Sequence, residues 1–568
     1  MGSDSLRRVA APFPPWVAML PLVVAAAGRG FWAPDEPRYA QVARDAIENG
    51  HWLVLQRCGE LYPDKPPLVF WLAGLAGQLT GWNEFAMRVP SLVAAIALAY
   101  ATAAFARRWW GQAEAGWAGI VLLGMVLVAE LGGRLQLDPI LAACTSIALL
   151  LCAGARMSPG RMPLGRMILA GAMAGLAALA KGPVAWVVVA LPLIAWHVLS
   201  HFEYRRSAEP AALRPRTPWT GIAVGVAAAV APVLAWALAA CAVEPELTRH
   251  LFWGQHVERA IRGVQHPGPV WQHGVRLFLL TLPWTPLVVL GIVSAVRAAR
   301  RIGHGPDQDP GLVRAGLWFA TLFVFFSIIP VKRDLYLLPL YPALALMAAR
   351  VLVIRLRDGA LPAAIVGVWI AVFAVAALAL LAFPWYSQAV AVDGLEAPVL
   401  GLAVLCTGAA LWLSVRRGSA WSAVRTVALS WLIVLTVIAA GILPRIDEHK
   451  SPRWLAETIA SLPQRPAAIP CYGVQPEGYR FYTARPFIAG DTGELADARW
   501  ADRIAREEKQ FLALLTRKLW DKLGAEQRHG LVELVARQVG GREVVVVGKA
   551  VSAEVRVIPP PSPRAEAR

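Results

Sequence analysis

The sequence predicts a polytopic α-helical membrane protein with a small α/β domain at its C-terminal end. Hydrophobic residues make up 57% of the 568 residues, and the mean hydropathy is +0.51. Both values exceed what the core of a soluble protein requires. Apolar stretches long enough to cross a bilayer recur as far as Leu443, and the composition then becomes that of an ordinary soluble domain.

Apolar stretches of about 17 to 25 residues mark the predicted membrane spans. Thirteen such stretches are present, and two of them are short. They lie at 14–30, 87–106, 115–131, 138–154, 166–180, 182–200, 219–242, 275–298, 313–329, 334–354, 360–383, 397–415 and 421–443. The number of spans predicts a multi-pass membrane protein.

Basic residues alternate between the connections, and this pattern predicts the orientation of the chain. Cytoplasmic loops keep an excess of Arg and Lys, whereas translocated loops do not. We therefore expect the arginine-rich connections to be cytoplasmic and the loop at 31–86 and the tail after Leu443 to face outward. The orientation also accounts for much of the net charge of +17, so a nucleic-acid partner is not needed. The arginine-rich connections contain Arg107 and Arg108; Arg156, Arg161 and Arg166; Arg205, Arg206, Arg214 and Arg216; Arg297, Arg300 and Arg301; Arg350, Arg355 and Arg357; and Arg416 and Arg417.

We predict two domains. Residues 1–443 form the transmembrane domain, with a first periplasmic loop at 31–86 and a second at 243–274, and residues 444–568 form a periplasmic α/β domain. In the second domain, RWADRIAREEKQFLALLTRKLWDKL is helix-like and REVVVVGKAVSAEVRVI is strand-like. The segment CYGVQPEGYRFYTARP could contact a sugar or phosphate, but its aromatic spacing favours a packed strand and helix edge. Cys58 and Cys471 lie outside the spans, and the sequence leaves their pairing open.

Charged residues are concentrated in the first loop and at the outward ends of several spans. The loop contains PRYAQVARDAIENG, whose apolar stripe predicts an amphipathic helix lying in the membrane interface. Asp138 begins one span, Lys181 interrupts an apolar run, and Lys332 opens a later span. A charge within a bilayer is unfavourable, so such residues usually serve a site or a partner. The alternative hypotheses are structural: Asp138 could be the N-cap of its helix, and Lys181 could be a turn residue whose ammonium extends to the membrane surface.

The first loop resembles that of a known enzyme family. DEPRYAQVARDAIENGHWLVLQRCGELYPDKPPLVFWL, followed by NEFAMRVPS, is similar to the first outer loop of polyprenyl-phosphate-sugar-dependent glycosyltransferases of the GT-C type. The match is specific to the aminoarabinose transferases that modify lipid A and their relatives. A looser likeness extends to LQLDPIL, ALAKGPVAW, WGQHVERAIRGVQHPGPVWQH and FFSIIPVKRDLYLLPLYPALAL, so it covers most of the chain. The resemblance implies the GT-C fold with about thirteen membrane helices, in the bacterial inner membrane with the active site facing the periplasm.

The resemblance also implies roles for individual residues. Asp35 matches the invariant loop aspartate of the family at the reaction centre, and Arg38 and Tyr39 match the residues beside it. Asp138 matches the second acidic residue, which we assign to catalysis with Asp35. Lys332 and Tyr336 match a KxxxY pattern in the region that holds the lipid phosphate.

The sequence leaves open whether the protein binds a divalent metal ion. The family usually has a glutamate before the lysine of its KPP motif, and this chain has Asp64 before Lys65. The histidine of the long outer loop is matched by either His256 or His266. Asp64 with one of these histidines could bind the ion, but their spacing carries no metal signature.

The expected chemistry accounts for these residue types. A sugar that leaves a polyprenyl phosphate, such as undecaprenyl phosphate, leaves negative charge on the phosphate, so cations must be aimed there. Arg38, Lys65, Lys181 and Lys332 are the candidates, and Asp35 could stabilise the sugar or accept a proton from an acceptor hydroxyl. We therefore expect the acidic and basic groups to meet in one cavity at the periplasmic leaflet.

Two alternatives to transfer onto lipid A or another glycolipid remain. A protein O-mannosyltransferase that acts on Ser or Thr differs only in its acceptor. A lipid transporter or flippase would also have many spans, but it would show internal repeats and charges near the midplane. The sequence has no obvious repeat, and its outer charges lie toward one face.

Overall fold

The computed structural model describes residues 10–155, 163–206, 219–249, 268–302, 308–359, 361–386, 396–507 and 510–549. The chain divides into two compact units. We call the first the membrane unit; it comprises Met1–Gly28, Pro63–Ala76 and Phe85–Leu443. We call the second the loop-tail unit; it comprises Arg29–Tyr62, Gly77–Glu84 and Pro444–Arg568.

The membrane unit is helical. Among the described residues, eight helices are long and apolar enough to cross a membrane. A ninth span results if Gln112–Gly124 and Val126–Gly132, which are bent by 70° at their junction, are taken together. The eight are Glu84–Trp109, Leu164–Lys181, Val184–Arg205, Trp219–Val243, Pro310–Ile328, Asp334–Arg357, Ala363–Ala382 and Ala420–Lys450. The prediction of a multi-pass helical membrane protein is therefore confirmed.

The remaining predicted spans also fall on helices, and some of these helices are short or broken. The first span is a 3₁₀ turn, Pro15–Met19, followed by Leu20–Ala27. The span predicted at 275–298 is broken into Gln272–Leu280 and Thr285–Arg300. The spans at 138–154 and 397–415 are the helices Asp138–Ala155 and Glu396–Arg416. The total of thirteen spans stays a prediction.

Glycines allow two helices of the membrane unit to pack closely. Leu164–Lys181 contacts Trp219–Val243 extensively. A Cβ at Gly171 would lie 2.1 Å from the carbonyl oxygen of Gly225, and one at Gly175 would lie 2.9 Å from the carbonyl oxygen of Ala229. Small residues at such crossings let the backbones approach, which is the main source of helix association in lipid.

A buried ion network joins helices whose ends we predict to be cytoplasmic. The carboxylate of Glu114 is fully buried and accepts hydrogen bonds from Arg350 at 2.8 Å and Arg357 at 3.2 Å. Arg350 also donates to Asp309 at 2.7 Å, and the indole of Trp110 donates to the same carboxylate at 2.8 Å. A lone buried carboxylate would be strongly unfavourable, so these arginines are structural partners.

The loop-tail unit is an α/β fold with a five-stranded mixed sheet. Its strands are β3 (Ile469–Tyr472), β4 (Phe487–Gly490), β5 (Leu512–Thr516), β6 (Val532–Val539) and β7 (Arg542–Gly548), in the order β4-β3-β5-β7-β6. β3 is parallel to β4 and β5, whereas β7 is antiparallel to β5 and β6. The helices of the unit are Asp35–Glu48, Arg453–Ser461, Glu477–Thr483, Ala498–Glu507 and Arg517–Lys522. A small hairpin of β1 (Gln56–Arg57) and β2 (Glu60–Leu61) completes the unit.

Two local predictions for the C-terminal domain have different outcomes. The packed strand and helix edge predicted for CYGVQPEGYRFYTARP is confirmed as β3 followed by the helix Glu477–Thr483. The helix predicted through FLALLT is wrong, because Leu512–Thr516 forms β5. β5 lies between β3 and β7 and is buried on both faces. A central strand is apolar on both faces, so its lack of alternation resembles a helix in sequence.

The first loop also contains helices. The predicted helix at the start of the loop is Asp35–Glu48, which we call the loop helix. Eleven of its fourteen residues are buried, including Gln41 and Asp45, so protein covers part of its polar face as well. A second, apolar helix, Leu68–Thr80, was not predicted, because we treated 31–86 as a polar loop.

The close helix crossing in the membrane unit gives a stability prediction. Gly171→Ala should destabilise the protein by about 1 to 3 kcal/mol, because the new methyl group would overlap the backbone of Gly225. Gly165→Ala is the matched control on the same helix, since a Cβ there meets nothing within 4 Å. Thermal unfolding in detergent measures both variants. Equal melting temperatures for the two variants would contradict the close crossing.

Candidate active site

Asp35 is the first residue of the loop helix, and its carboxylate is paired with Arg38. The Nη2 atom of Arg38 lies 2.5 Å from Oδ1 of Asp35, one helical turn away. Both side chains are largely buried but keep some exposure, at 12% for Asp35 and 19% for Arg38. The geometry places a carboxylate and a guanidinium side by side at a rigid helix start.

The backbone before the loop helix is fixed by a second ion pair. Glu36 is buried and accepts hydrogen bonds from Arg29 at 2.6 Å and from the backbone N–H of Trp32 at 3.0 Å. The guanidinium of Arg29 also lies over the indole ring of Trp32. Glu36 therefore anchors the entry to the helix.

The surroundings of Arg38 favour its charged form. Burial alone would lower the pKa of its guanidinium, but Tyr62, Tyr39, Asp35 and Glu477 raise the pKa above its usual range. The guanidinium also lies over the ring of Tyr39, 5.4 Å from the centroid. Arg38 is thus a permanent cation beside the carboxylate of Asp35.

The C-terminal domain packs directly against the loop helix. We call the helix Glu477–Thr483 the domain helix. A Cβ built on Gly478 would lie 3.1 Å from Cβ of Pro37, so the two helices touch next to Asp35. Further along, Arg44 donates to the carbonyl oxygen of Phe481 at 3.0 Å. The position of Asp35 therefore depends on residues more than four hundred positions away in the chain.

Two residues of the C-terminal domain form hydrogen bonds to the segment that precedes the loop helix. Asp447 accepts from the backbone N–H of Gly30 at 3.0 Å and from the indole of Trp32 at 2.6 Å. The hydroxyl of Tyr482 accepts from the backbone N–H of Phe31 at 2.9 Å. These bonds fix the segment that leads to Asp35.

Asp45 is a structural carboxylate in the same helix. It accepts from Gln41 at 2.9 Å, Asn49 at 3.2 Å and the backbone N–H of Cys58 at 3.0 Å. Burial raises its pKa, and the bond from Cys58 opposes that shift. Asp45 therefore ties the hairpin to the loop helix.

The two cysteines outside the spans are free thiols. Cys58 is half-buried and Cys471 is buried in β3. Burial raises the pKa of Cys58 to about 12, with a further contribution from Glu477. Both thiols are therefore protonated and unreactive at neutral pH.

The membrane unit brings three predicted site residues together. Asp138 begins the helix Asp138–Ala155, Lys181 ends the helix Leu164–Lys181, and their side chains form an ion pair. The ammonium of Lys181 lies over the ring of Tyr336, 4.3 Å from its centroid. Both charged groups are nearly buried. An aromatic ring, a cation and a carboxylate thus lie next to one another.

Lys332 has a different environment. Its ammonium donates to the carbonyl oxygens of Ser327 at 2.6 Å and Phe326 at 3.4 Å, and to that of Ile329. These carbonyls lie at the C-terminal end of the helix Pro310–Ile328, where a cation is favourable. Burial lowers the pKa of Lys332. In this state the side chain caps a helix, and its predicted contact with phosphate stays a prediction.

Of the predicted metal ligands, Asp64 lies in the part of the chain that the structure describes. Asp64 and Lys65 are half-buried in the turn before Leu68–Thr80. His256 and His266 lie outside the described residues. Within the described residues, no group of three His, Cys, Asp or Glu side chains could hold an ion. The metal site stays a prediction, as does the meeting of both units' charges in one cavity.

Two buried polar residues were not singled out by the sequence. Glu477 is buried at the start of the domain helix, and His273 is fully buried near Lys332. Neither imidazole nitrogen of His273 has a hydrogen-bond partner among the described residues. Both lie in segments that the motifs contained, but only packing reveals their burial.

Comparisons with known proteins agree on one class. The family model described as dolichyl-phosphate-mannose-protein mannosyltransferase matches residues 64–236. An undecaprenyl phosphate-α-4-amino-4-deoxy-L-arabinose arabinosyl transferase of Pseudomonas aeruginosa strain UCBPP-PA14 is 31% identical over 495 residues, which cover 84% of this chain and 78% of the relative. The corresponding protein of Serratia proteamaculans is 31% identical over 57% of this chain and 55% of its own length.

The fold is also found among solved structures. The crystal structure of ArnT from Cupriavidus metallidurans bound to undecaprenyl phosphate has a TM-score of 0.73 and 23% identity to this chain, and it covers 95% of this chain and 97% of that one. The apo structure of the same protein has a TM-score of 0.72. The likeness confirms the predicted GT-C fold.

The ion pair in the membrane unit gives a prediction about stability. Asp138→Asn should destabilise the protein by about 3 to 5 kcal/mol, because it leaves the ammonium of Lys181 buried without its counter-charge. The double variant Asp138→Asn/Lys181→Gln should be less destabilised, since it removes both charges. Thermal unfolding in detergent distinguishes them. A single variant as stable as wild type would show that the pair is not buried as described.

Proposed function

Because the chain belongs to the family of undecaprenyl phosphate-α-4-amino-4-deoxy-L-arabinose arabinosyl transferases, we propose that it transfers an aminopentose from an undecaprenyl phosphate carrier to lipid A. The chain is a multi-pass membrane glycosyltransferase. The proposed acceptor is lipid A or another envelope glycolipid, on the periplasmic side of the inner membrane. The observation that carries the proposal is 31% identity over 84% of this chain.

The proposed reaction breaks one bond and forms one. The bond between the anomeric carbon of the sugar and the phosphate oxygen breaks, and the phosphate keeps the electron pair. An acceptor oxygen forms the new bond to the anomeric carbon. If the acceptor is a phosphate, no proton must be removed; if it is a hydroxyl, its proton passes to a base.

We assign the reaction centre to Asp35. Its carboxylate at the helix start is held by Arg38 and is partly accessible, which suits a group that must face substrate. As positive charge develops on the sugar, a carboxylate stabilises it, and the same group can accept a hydroxyl proton. Asp138, paired with Lys181, is proposed as the second acidic residue of the reaction.

The leaving phosphate requires cations and hydrogen-bond donors. Arg38 supplies a permanent charge and a planar donor set, which suits phosphate recognition. We propose that Tyr39, Lys65, Lys181 and Tyr336 contribute to the same task, and that Lys332 would have to release its backbone carbonyls to do so. Asp64 with His256 or His266 would hold a divalent ion if one takes part.

A second candidate is transfer to Ser or Thr of a protein. The observation that favours it is the match of residues 64–236 to the protein mannosyltransferase family model. Mass spectrometry of envelope lipids and proteins, with and without the gene expressed, separates the two. A mass gain of an aminopentose on lipid A supports the first function, and a hexose on protein supports the second.

The role of Asp35 gives the most direct test by mutation. Asp35→Asn keeps the shape of the side chain but removes its charge, so transfer should fall by at least about a hundredfold. Glu48→Gln is the matched control, because Glu48 is an exposed carboxylate at the other end of the same helix. Transfer from a labelled lipid donor in membrane vesicles is the measurement. Activity of Asp35→Asn close to that of the control would remove Asp35 from the reaction centre.

A further inference from the structure

Glu477 is a deeply buried carboxylate in the C-terminal domain that the proposed chemistry does not use. Only 1% of the residue is exposed. Its Oε1 atom lies 3.5 Å from Nε of Arg57, whereas its Oε2 atom accepts no hydrogen bond from any described residue. A buried carboxylate is unfavourable unless cations compensate it, so its position calls for an explanation.

The packing places Glu477 beside the start of the loop helix. The next residue, Gly478, has no side chain, and a Cβ there would lie 3.1 Å from Pro37 and 2.4 Å from Pro452. Pro37 lies between Asp35 and Arg38 in the sequence. The field of Glu477 is also one of the influences that raise the pKa of Arg38.

The charges in this region balance. Arg38 pairs with Asp35, Arg57 pairs with Glu477, and the negative charge of Glu477 also acts on Arg38. Without Glu477, both cations would lose a negative neighbour, and Asp35 would be drawn more strongly into pairing with Arg38. A carboxylate held in that way is less available to a substrate.

We propose that Glu477 is a positioning residue for sugar transfer, and that it acts by balancing the charge of Arg38 and Arg57 so that the carboxylate of Asp35 stays available. The C-terminal domain thereby contributes a charge to the reaction, in addition to packing against the loop helix. This inference rests on the proposed function.

Substitution of Glu477 by its isosteric amide tests the proposal. Glu477→Gln should lower kcat about tenfold or more, while KM for the lipid donor stays the same or falls, because loss of a negative charge does not weaken attraction to phosphate. Glu457→Gln is the matched control, since Glu457 is an exposed carboxylate in the same domain, paired with Arg453. An unchanged kcat for Glu477→Gln, or a rise in KM alone, would overturn the proposal.

A double variant separates charge balance from simple loss of structure. If the charges of Glu477 and Arg57 compensate each other, Arg57→Gln/Glu477→Gln should recover at least about threefold of the activity lost in Glu477→Gln. A merely structural role predicts that the variants differ in melting temperature and not in kcat of the folded protein, and that result would contradict the proposal. If Glu477→Gln does not fold, the double variant should restore both folded protein and transfer, and its failure to do so would also count against the proposal.

Transfer by the wild-type enzyme separates failure of the proposed function from failure of the role proposed for Glu477. Absence of transfer by the wild type would remove the proposed function itself. Normal transfer by the wild type together with normal transfer by Glu477→Gln would remove only the role of Glu477.

Discussion

Charges that lie in or beside a membrane must be paired, and this constraint shapes the two units of the protein. Asp138 is paired with Lys181, Glu114 with two arginines, and Asp35 with Arg38. The first two pairings join different helices, and the third lies within the loop helix. Each pairing is needed because an unpaired buried charge would be strongly unfavourable. The electrostatics that stabilise the fold therefore also position the groups proposed for the reaction.

The loop-tail unit shows how a soluble domain can serve a membrane enzyme. The first loop has little core of its own, and its helix is buried by contacts with the domain helix and with the chain around Asp447. A carboxylate that takes part in transfer must be held within a fraction of an ångström. The sheet and helices of the C-terminal domain provide a rigid support for that precision.

The sequence predicted the features that depend on local pattern. Hydropathy located the helices of the membrane unit, since a span needs a continuous apolar stretch, and the apolar stripe of PRYAQVARDAIENG located the loop helix. Two features depend on packing between distant segments and could not be predicted locally: the burial of Glu477 and the strand at Leu512–Thr516. In each case the partner lies in another element, and a one-dimensional pattern does not contain it.

The central claim is that this chain moves a sugar from a lipid phosphate carrier and releases the carrier as a monophosphate. Purified protein in lipid nanodiscs, supplied with undecaprenyl phosphate-linked aminoarabinose and lipid A, allows both lipids to be measured by mass spectrometry. We expect free undecaprenyl phosphate and glycosylated lipid A to appear in equal amounts. An unchanged donor, or a carrier released as a diphosphate, would contradict it.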